Sequence, residues 1–471
     1  MTKSIRFLLM TSALALSGCA SFTADRGMSS VQEFAGAPLG KELIALRSPE
    51  EESAARSIVD QLLAKRLSPD DAVQIALVNN RELQAAYNQL GISEAQRIQA
   101  SLPPNPTFSL ERIAGAGSVE IEARAIASVL SLLTLPARAQ IASDRFRQAQ
   151  LEAAETTLRI ATDTRRAYYR ALAAKVLVNF LIQSQSAAQA AAELSTQLGE
   201  SGTMTKLDQA RNQVFFAELT AQLAQARQLA STERERLIRL MGLWGPDIDF
   251  KLPVNLPRLP GKPAVQPDIE REAVARRLDL QIARIDVQAL SRSLDLSNAT
   301  RMISVLELSG IKKRVTSAEE TERERGFELE LQIPIFDLGA GKLRQAEETY
   351  MQSVNRLTAK AINVRSEARE AYGTYRGAYD IARHYQREVL PLRKIISDET
   401  MLRYNAMQID VFTLLTEARA RIASTTSAIE AERAFWLAAT NLGASVLGGG
   451  AAAAEGGAPG AAMAAAESGG H

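Results

Sequence analysis

From Lys342 onward the sequence keeps a helical pattern for roughly sixty residues, several times the three-turn average of globular helices. At 1.5 Å of rise per residue such a helix is roughly 90 Å long, and a compact monomer cannot contain it. The stretch that feeds it is equally constraining: residues 327–344 read FELELQIPIFDLGAGKLR. Phe327, Leu329, Leu331, Ile333 and Ile335 fall on one face of an extended segment, and Glu328, Glu330 and Gln332 on the other. That is the period-two signature of a strand with one apolar and one polar face. Pro334 removes a ladder donor, so pairing should stop there, and Gly339 and Gly341 allow a sharp change of direction. A two-faced strand delivered into so long a helix predicts a rod, a tube or an oligomer.

The same plan occurs twice. Residues 19–67 carry few periodic signals and are expected to run extended, with a helical turn or two near 49–64. Ser68-Pro69-Asp70-Asp71 then opens a helix, with a capping hydroxyl, a proline suited to the first position and two acids at the positive end. Its pattern runs through Ala76, Leu83, Leu90 and Ile98 to the break at Pro103-Pro104-Asn105-Pro106. Strands are expected over 107–113 and 119–130, joined by a turn at 115–117, with Pro136 closing the hairpin. Helices over about 136–199 and 205–242 complete the first repeat, residues 68–250. After a linker at 251–267 with five prolines, the second repeat, 268–445, has strands over 301–309 and 327–336 and helices over 342–400 and 408–442. The copies share residues as well as order. Asp71 and Leu83-Gln84 stand 197 positions before Asp268 and Leu280-Gln281, and Arg147-Gln148-Ala149 stands 197 before Arg344-Gln345-Ala346. The fold class is therefore α+β, a duplicated helix–strand–strand–helix–helix unit.

Two helices carry seams at a and d spacing: Phe216, Leu219, Leu223, Ala226, Ala230, Glu233, Leu237 and Leu240, and Leu415, Ala418, Ile422, Thr425, Ile429, Glu432, Trp436 and Ala439. They fit a coiled coil or an ordinary bundle. The only histidines are His384, expected to make an interhelical polar contact, and His471, so no zinc cluster or Ser-His-Asp set can be drawn, and an enzyme is not expected. The charged run 312–325 reads as a solvated hairpin loop.

At the N-terminus Lys3 and Arg6 precede an apolar run over 7–16 and the sequence Leu16-Ser17-Gly18-Cys19. This is a secretory signal over 1–18, too short to span a bilayer. Its ending resembles a bacterial lipobox, which implies that Cys19 becomes the first mature residue and carries covalent lipid; no other cofactor is expected. Ala20, where inner-membrane retention uses an acid, implies the outer membrane. The chain has 55 basic and 54 acidic residues. Loss of Lys3 and Arg6 leaves 53 against 54, which argues against nucleic acid as a partner. No mature segment has the ~18 apolar residues of a membrane helix, so any crossing must use strands. Residues 446–471, rich in Ala and Gly, read as a disordered tail.

Together these features resemble the TolC-type outer-membrane efflux factors, in particular their lipoprotein branch. The most specific pieces are Ile333-Pro334-Ile335-Phe336-Asp337-Leu338-Gly339, Tyr404-Asn405-Ala406 and Leu414-Leu415-Thr416-Glu417-Ala418. The resemblance implies a homotrimer with a twelve-stranded β-barrel in the outer membrane, continuous with a long α-helical barrel in the periplasm. It implies an exit duct that takes small molecules or ions from an inner-membrane pump through a periplasmic adaptor. The alternatives are a non-conducting structural coiled-coil lipoprotein and a type I protein secretion duct. Pro334, Phe336, Gly339 and Gly341 would form the strand-to-helix junction, with a cruder first-half copy at Pro136. Two positions depart from the family. Met407 stands where a glycine commonly follows the tip tyrosine. The acids of the periplasmic aperture fall on Thr413 and Thr416, so that an acidic ring must come from Asp410 or Glu417 or be absent, with helix capping as the other reading of Asp410.

Overall fold

A computed structural model describes residues 22–115, 118–317 and 320–450 of the chain. The N-terminal segment is more helical than its pattern suggests: residues 28–39 form short helical turns, and α1 covers Pro49–Leu63. Ser48 and Glu51 exchange backbone bonds in a capping box that fixes the α1 start. The helix expected from Ser68 is two helices, α2 (Pro69–Asn79) and α3 (Arg81–Ser101). Then follow β1 (Thr107–Gly115), β2 (Ser118–Ser128), α4 (Leu135–Glu200) and α5 (Lys206–Met241). The second half has α6 (Ile269–Arg276), α7 (Leu278–Thr300), β3 (Val305–Thr316) and β4 (Thr321–Gln332). It ends in α8 (Ala340–His384), a π-helical turn at Tyr385–Val389, α9 (Leu390–Asn405) and α10 (Val411–Leu447). Asn80 interrupts the first half and Arg277, 197 positions later, the second; both leave the helical region, at ψ 117° and ψ 124°. The duplication thus extends to a backbone break that the apolar periodicity does not reveal.

The chain divides into two compact units. One contains residues 85–154, 278–362 and the segment up to Phe34. Its sheet has the order β1-β2-β3-β4, antiparallel throughout. Both second-half strands lie away from their expected positions: β3 starts at Val305, and β4 stops at Gln332, before Pro334. The charged run 312–325 is therefore not a solvated loop, because most of it is paired strand, Lys312 facing Arg325 and Lys313 facing Glu324. Period-two alternation sorts the sheet into two faces. The polar face carries Glu111, Glu120, Glu122, Glu307, Glu322, Glu324, Glu328 and Glu330 with the cations Arg124 and Lys313. Lys313 pairs with Glu120 at 2.6 Å, and Arg124 with Glu122 at 3.0 Å and Glu328 at 3.1 Å. The other face carries Phe108, Leu110, Leu308, Phe327, Leu329 and Leu331, all exposed, Phe327 at 81 %. Among the described residues nothing covers it.

Polar groups tie the helices of this unit. Asp286 on α7 accepts from Arg145 of α4 at 2.6 Å and from Ser353 of α8 at 2.7 Å, and Arg292 pairs with Asp144. Glu94 on α3 is fully buried and takes both the backbone N–H and the hydroxyl of Thr23 at 2.7 Å, which docks the N-terminal segment.

The second unit holds residues 35–84, 155–277 and 363 onward. Phe435, Tyr375, Tyr379 and Leu442 centre one apolar cluster, and Tyr169 stacks on Trp436 with ring centroids 5.2 Å apart. Burying a side chain the size of Phe435 is worth about 2–3 kcal/mol. The proline-rich linker is fastened to the helices, since the Pro257 carbonyl accepts from the Trp436 indole at 3.2 Å and the Pro260 carbonyl from the Tyr379 hydroxyl at 3.1 Å. Packing also continues past the tail boundary expected at 446. Helix α10 reaches Leu447, Gly449 is buried at φ 92°, and a Cβ there would stand 2.7 Å from the Leu158 backbone. Residues 451–471 lie outside the described residues. Among the described residues no helix is long and apolar enough to cross a membrane.

Candidate functional site

Where β4 meets α8, the chain turns through two consecutive left-handed residues, Leu338 at φ 51° and Gly339 at φ 72°. The Leu338 N–H donates to the Pro334 carbonyl at 2.8 Å, and the Gly339 N–H to the Asp337 carboxylate at 3.0 Å. Gly339 is required twice over, because its conformation disfavours a side chain and a Cβ would lie 2.3 Å from the Arg301 carbonyl oxygen. Gly341, by contrast, is an ordinary residue of the α8 first turn, and a Cβ there would meet only Asp337 Oδ2 at 3.4 Å. Phe336 is 99 % exposed. Pro334 and Gly339 line a cavity of about 540 Å³ with Thr134, Arg138, Arg301 and Lys342. Pro136 sits in the first turn of α4, where a missing N–H costs nothing, and a one-turn helix at Val129–Leu133 separates it from β2.

At the far ends of the long helices, two turns share one hydrogen-bond pattern. Between α4 and α5 the Gly202 N–H donates to the Gly199 carbonyl at 3.1 Å and Thr203 to Leu198 at 2.9 Å. Between α9 and α10 the Met407 N–H donates to Tyr404 at 2.9 Å and Gln408 to Arg403 at 2.9 Å. Every partner in the second turn stands 205 positions after its counterpart. Thr205 then caps α5 and Asp410 caps α10. Asp410 accepts from the Thr413 hydroxyl at 2.5 Å and the Thr413 N–H at 2.9 Å, and these bonds, the hydroxyl first, hold its carboxyl below the usual range.

The remaining aperture candidates are spread along the first two turns of α10. Thr416 is exposed and bonds back to the Phe412 carbonyl at 2.8 Å. Glu417 turns to α9, where Arg393 holds it at 3.2 Å. The residues that bring the two turns together were not legible in the sequence. Arg211 of α5 lies over the Phe412 ring at 5.0 Å, and Arg419 of α10 lies over Phe215 at 5.5 Å while pairing with Glu218 at 2.9 Å. Only the register of α5 against α10 makes them neighbours, and neither helix encodes it alone. The polar partner of His384 among the described residues is not the expected one on another helix but Glu388 on the same stretch of chain at 3.3 Å. Cys19, the proposed lipid site, lies outside the described residues, as does the signal segment 1–18.

No family model matches the sequence, and no curated protein matches it. Solved structures do. The outer-membrane channel OprN is 16 % identical, with 92 % of this chain and 97 % of that chain covered at a TM-score of 0.68. The outer membrane protein VceC from Vibrio cholerae is 14 % identical over 81 % of this chain and 96 % of that one, TM-score 0.67. The open-state MtrE outer membrane channel of Neisseria gonorrhoeae is 14 % identical over 80 % and 88 %, TM-score 0.66. At such identities the likeness establishes the fold: this chain has the fold of the TolC-type outer-membrane efflux factors.

Proposed function

We propose that a chain of this fold is one protomer of a homotrimeric exit duct in the outer membrane. One observation carries the reading: a four-stranded sheet whose outermost strands, β1 and β4, have no partner on their free sides among the described residues, and whose apolar face those residues leave open. Unpaired backbone cannot face lipid, so such a sheet must be closed by further copies of itself. Three copies give twelve strands, with Phe108, Leu110, Phe327 and Leu329 toward lipid and the acid-rich face toward a water-filled lumen. The long helices then build a periplasmic tube that meets an adaptor and an inner-membrane pump at the two turns. The pump supplies the energy, and the duct supplies the passage. Eight carboxylates against two cations on the lumenal face favour cations over anions, whether or not Asp410 and Glu417 ring the aperture. Cys19 would carry the lipid anchor.

Single-channel recording in planar bilayers tests the duct. The expected result is a cation-preferring conductance from a heat-resistant trimer; a clean trimer that never conducts, even with Asp410→Asn and Glu417→Gln in place, defeats it. Labelled palmitate tests the anchor separately: incorporation should be lost in Cys19→Ala, and persistence of label in that variant rules the anchor out.

A further inference from the structure

The cations of the sheet are not distributed as its acids are. Arg112 of β1, Lys312 and Arg314 of β3, and Arg323 and Arg325 of β4 all fall on the apolar face. Pairing across the strands places them in two adjacent rows. Arg112, Ile121, Arg314 and Arg323 form one row, and Leu110, Ala123, Lys312 and Arg325 the next. The row after that is apolar, with Phe108, Gly310 and Phe327. Lys312 stands directly opposite Arg325, and Arg314 directly opposite Arg323, an arrangement that destabilises a sheet. Among the described residues none of the five forms an ion pair, whereas Lys313 and Arg124 on the other face are both paired. The four strands place no acid on the apolar face. The two rows sit at the hairpin-turn end, away from the end where the helices join.

We propose that this patch binds the phosphorylated headgroup of a lipid in the outer leaflet, its acyl chains lying along the apolar band below. The inference rests on the membrane orientation given under Proposed function, which puts the hairpin turns at the outer leaflet. Cations directly beside an apolar band face the level of lipid headgroups rather than open water. The charge sets the class of ligand. A phosphomonoester carries about −1.5 to −2, so two of them match the four closely set cations, while a single phosphodiester leaves most of the repulsion in place. Strand spacing of about 4.8 Å and row spacing of about 7 Å put those four cations within reach of one headgroup. A bis-phosphorylated glycolipid fits; a zwitterionic phospholipid does not.

The test uses the full-length trimer in non-ionic detergent, titrated with diphosphorylated lipid A, monophosphorylated lipid A and inorganic phosphate, and read by native mass spectrometry. Diphosphorylated lipid should bind tightest, and inorganic phosphate should not displace it. The quadruple variant Lys312→Gln, Arg314→Gln, Arg323→Gln, Arg325→Gln should lose roughly tenfold or more in affinity. Because it removes two facing like-charge pairs, its lipid-free trimer should withstand higher temperature than the lipid-free wild type, which separates ligand loss from misfolding. Lys313→Gln, on the other face, should bind lipid as the wild type does. Equal lipid retention by the quadruple variant, or displacement by inorganic phosphate at comparable concentration, overturns the proposal. Conductance of the same preparations tells the two readings apart, since a conducting trimer without lipid preference keeps the duct and discards the headgroup site.

Discussion

The two halves of the chain make the same helical turn with different residues at its left-handed corner, Gly202 in the first and Met407 in the second. The two bonds that close the corner recur in both turns, so the fold demands a positive φ at both corners, and only one has the residue that adopts it freely. The halves differ again along the way to that turn. Arg147 lies 55 positions before Gly202, and Arg344 lies 63 before Met407, so the second path is eight residues longer. Helix α4 runs 66 residues unbroken, whereas the second path contains the π-helical turn Tyr385–Val389, which ends two residues before Pro391. Proline lacks an N–H and clashes with the carbonyl four residues back, and a widened turn relieves both. At the strand-to-helix joint the contrast reverses, with the second half holding the demanding glycine and the first an undemanding proline. Duplication preserved the geometry, and each copy meets its constraints with different residues.

The joint should give the largest difference. Gly339→Ala is expected to cost about 3 kcal/mol or more, the left-handed penalty plus a forced shift against the Arg301 carbonyl, and trimer heat resistance should fall accordingly. Pro136→Ala should stay within about 0.5 kcal/mol; equal losses would mean that the two joints are equivalent after all.

At the turns the effect is smaller and of opposite sign. Met407→Gly should stabilise by about 1 kcal/mol and Gly202→Ala should destabilise by a similar amount, both read from urea unfolding. No gain from Met407→Gly would indicate that its side chain, 94 % exposed here, is held by something in the assembly.

The smallest difference is between the caps. Asp410 has a depressed carboxyl, so its contribution is present above the ordinary carboxylate value of 3.8 and is lost as pH falls through the lowered one. Thr205 does not titrate. Acid should therefore fray the start of α10 and leave the start of α5 unchanged, as seen by hydrogen exchange corrected for intrinsic rates; parallel fraying of both would break the distinction.

How much could be read in advance follows from how far each determinant lies from the residue it governs. The long helices, the hairpins and the 197-residue register are written in local periodicity, and α4, α5 and β1 fall within a few residues of where their patterns place them. The alternation at 327–332 likewise announced a strand with two faces. The N-terminal boundary of β3 was missed because Arg301 and Met302 look extended, while the turn after α7, with Ile303 donating to Thr300, holds them out of the ladder. Of the site residues, Gly339 was legible as a glycine at a change of direction, but the Arg301 carbonyl that makes it indispensable was not.

What the sequence determined by itself is the list of elements and their repetition, because backbone and side-chain periods act over one or two turns. What only tertiary structure decided is which remote groups those elements meet. Asn80 breaks its helix while donating to the Leu240 carbonyl at 2.8 Å, 160 residues away, and Gly449 packs on Leu158. The charged run 312–325 becomes a strand pair only through a register set jointly with β2. Pairing places Arg314, Arg323 and Arg325 on one face together with Lys312, and Lys313, Glu322 and Glu324 on the other, while Glu320 stays in the turn. A run of mixed charge fixes no face until a partner strand supplies the hydrogen bonds that hold it extended.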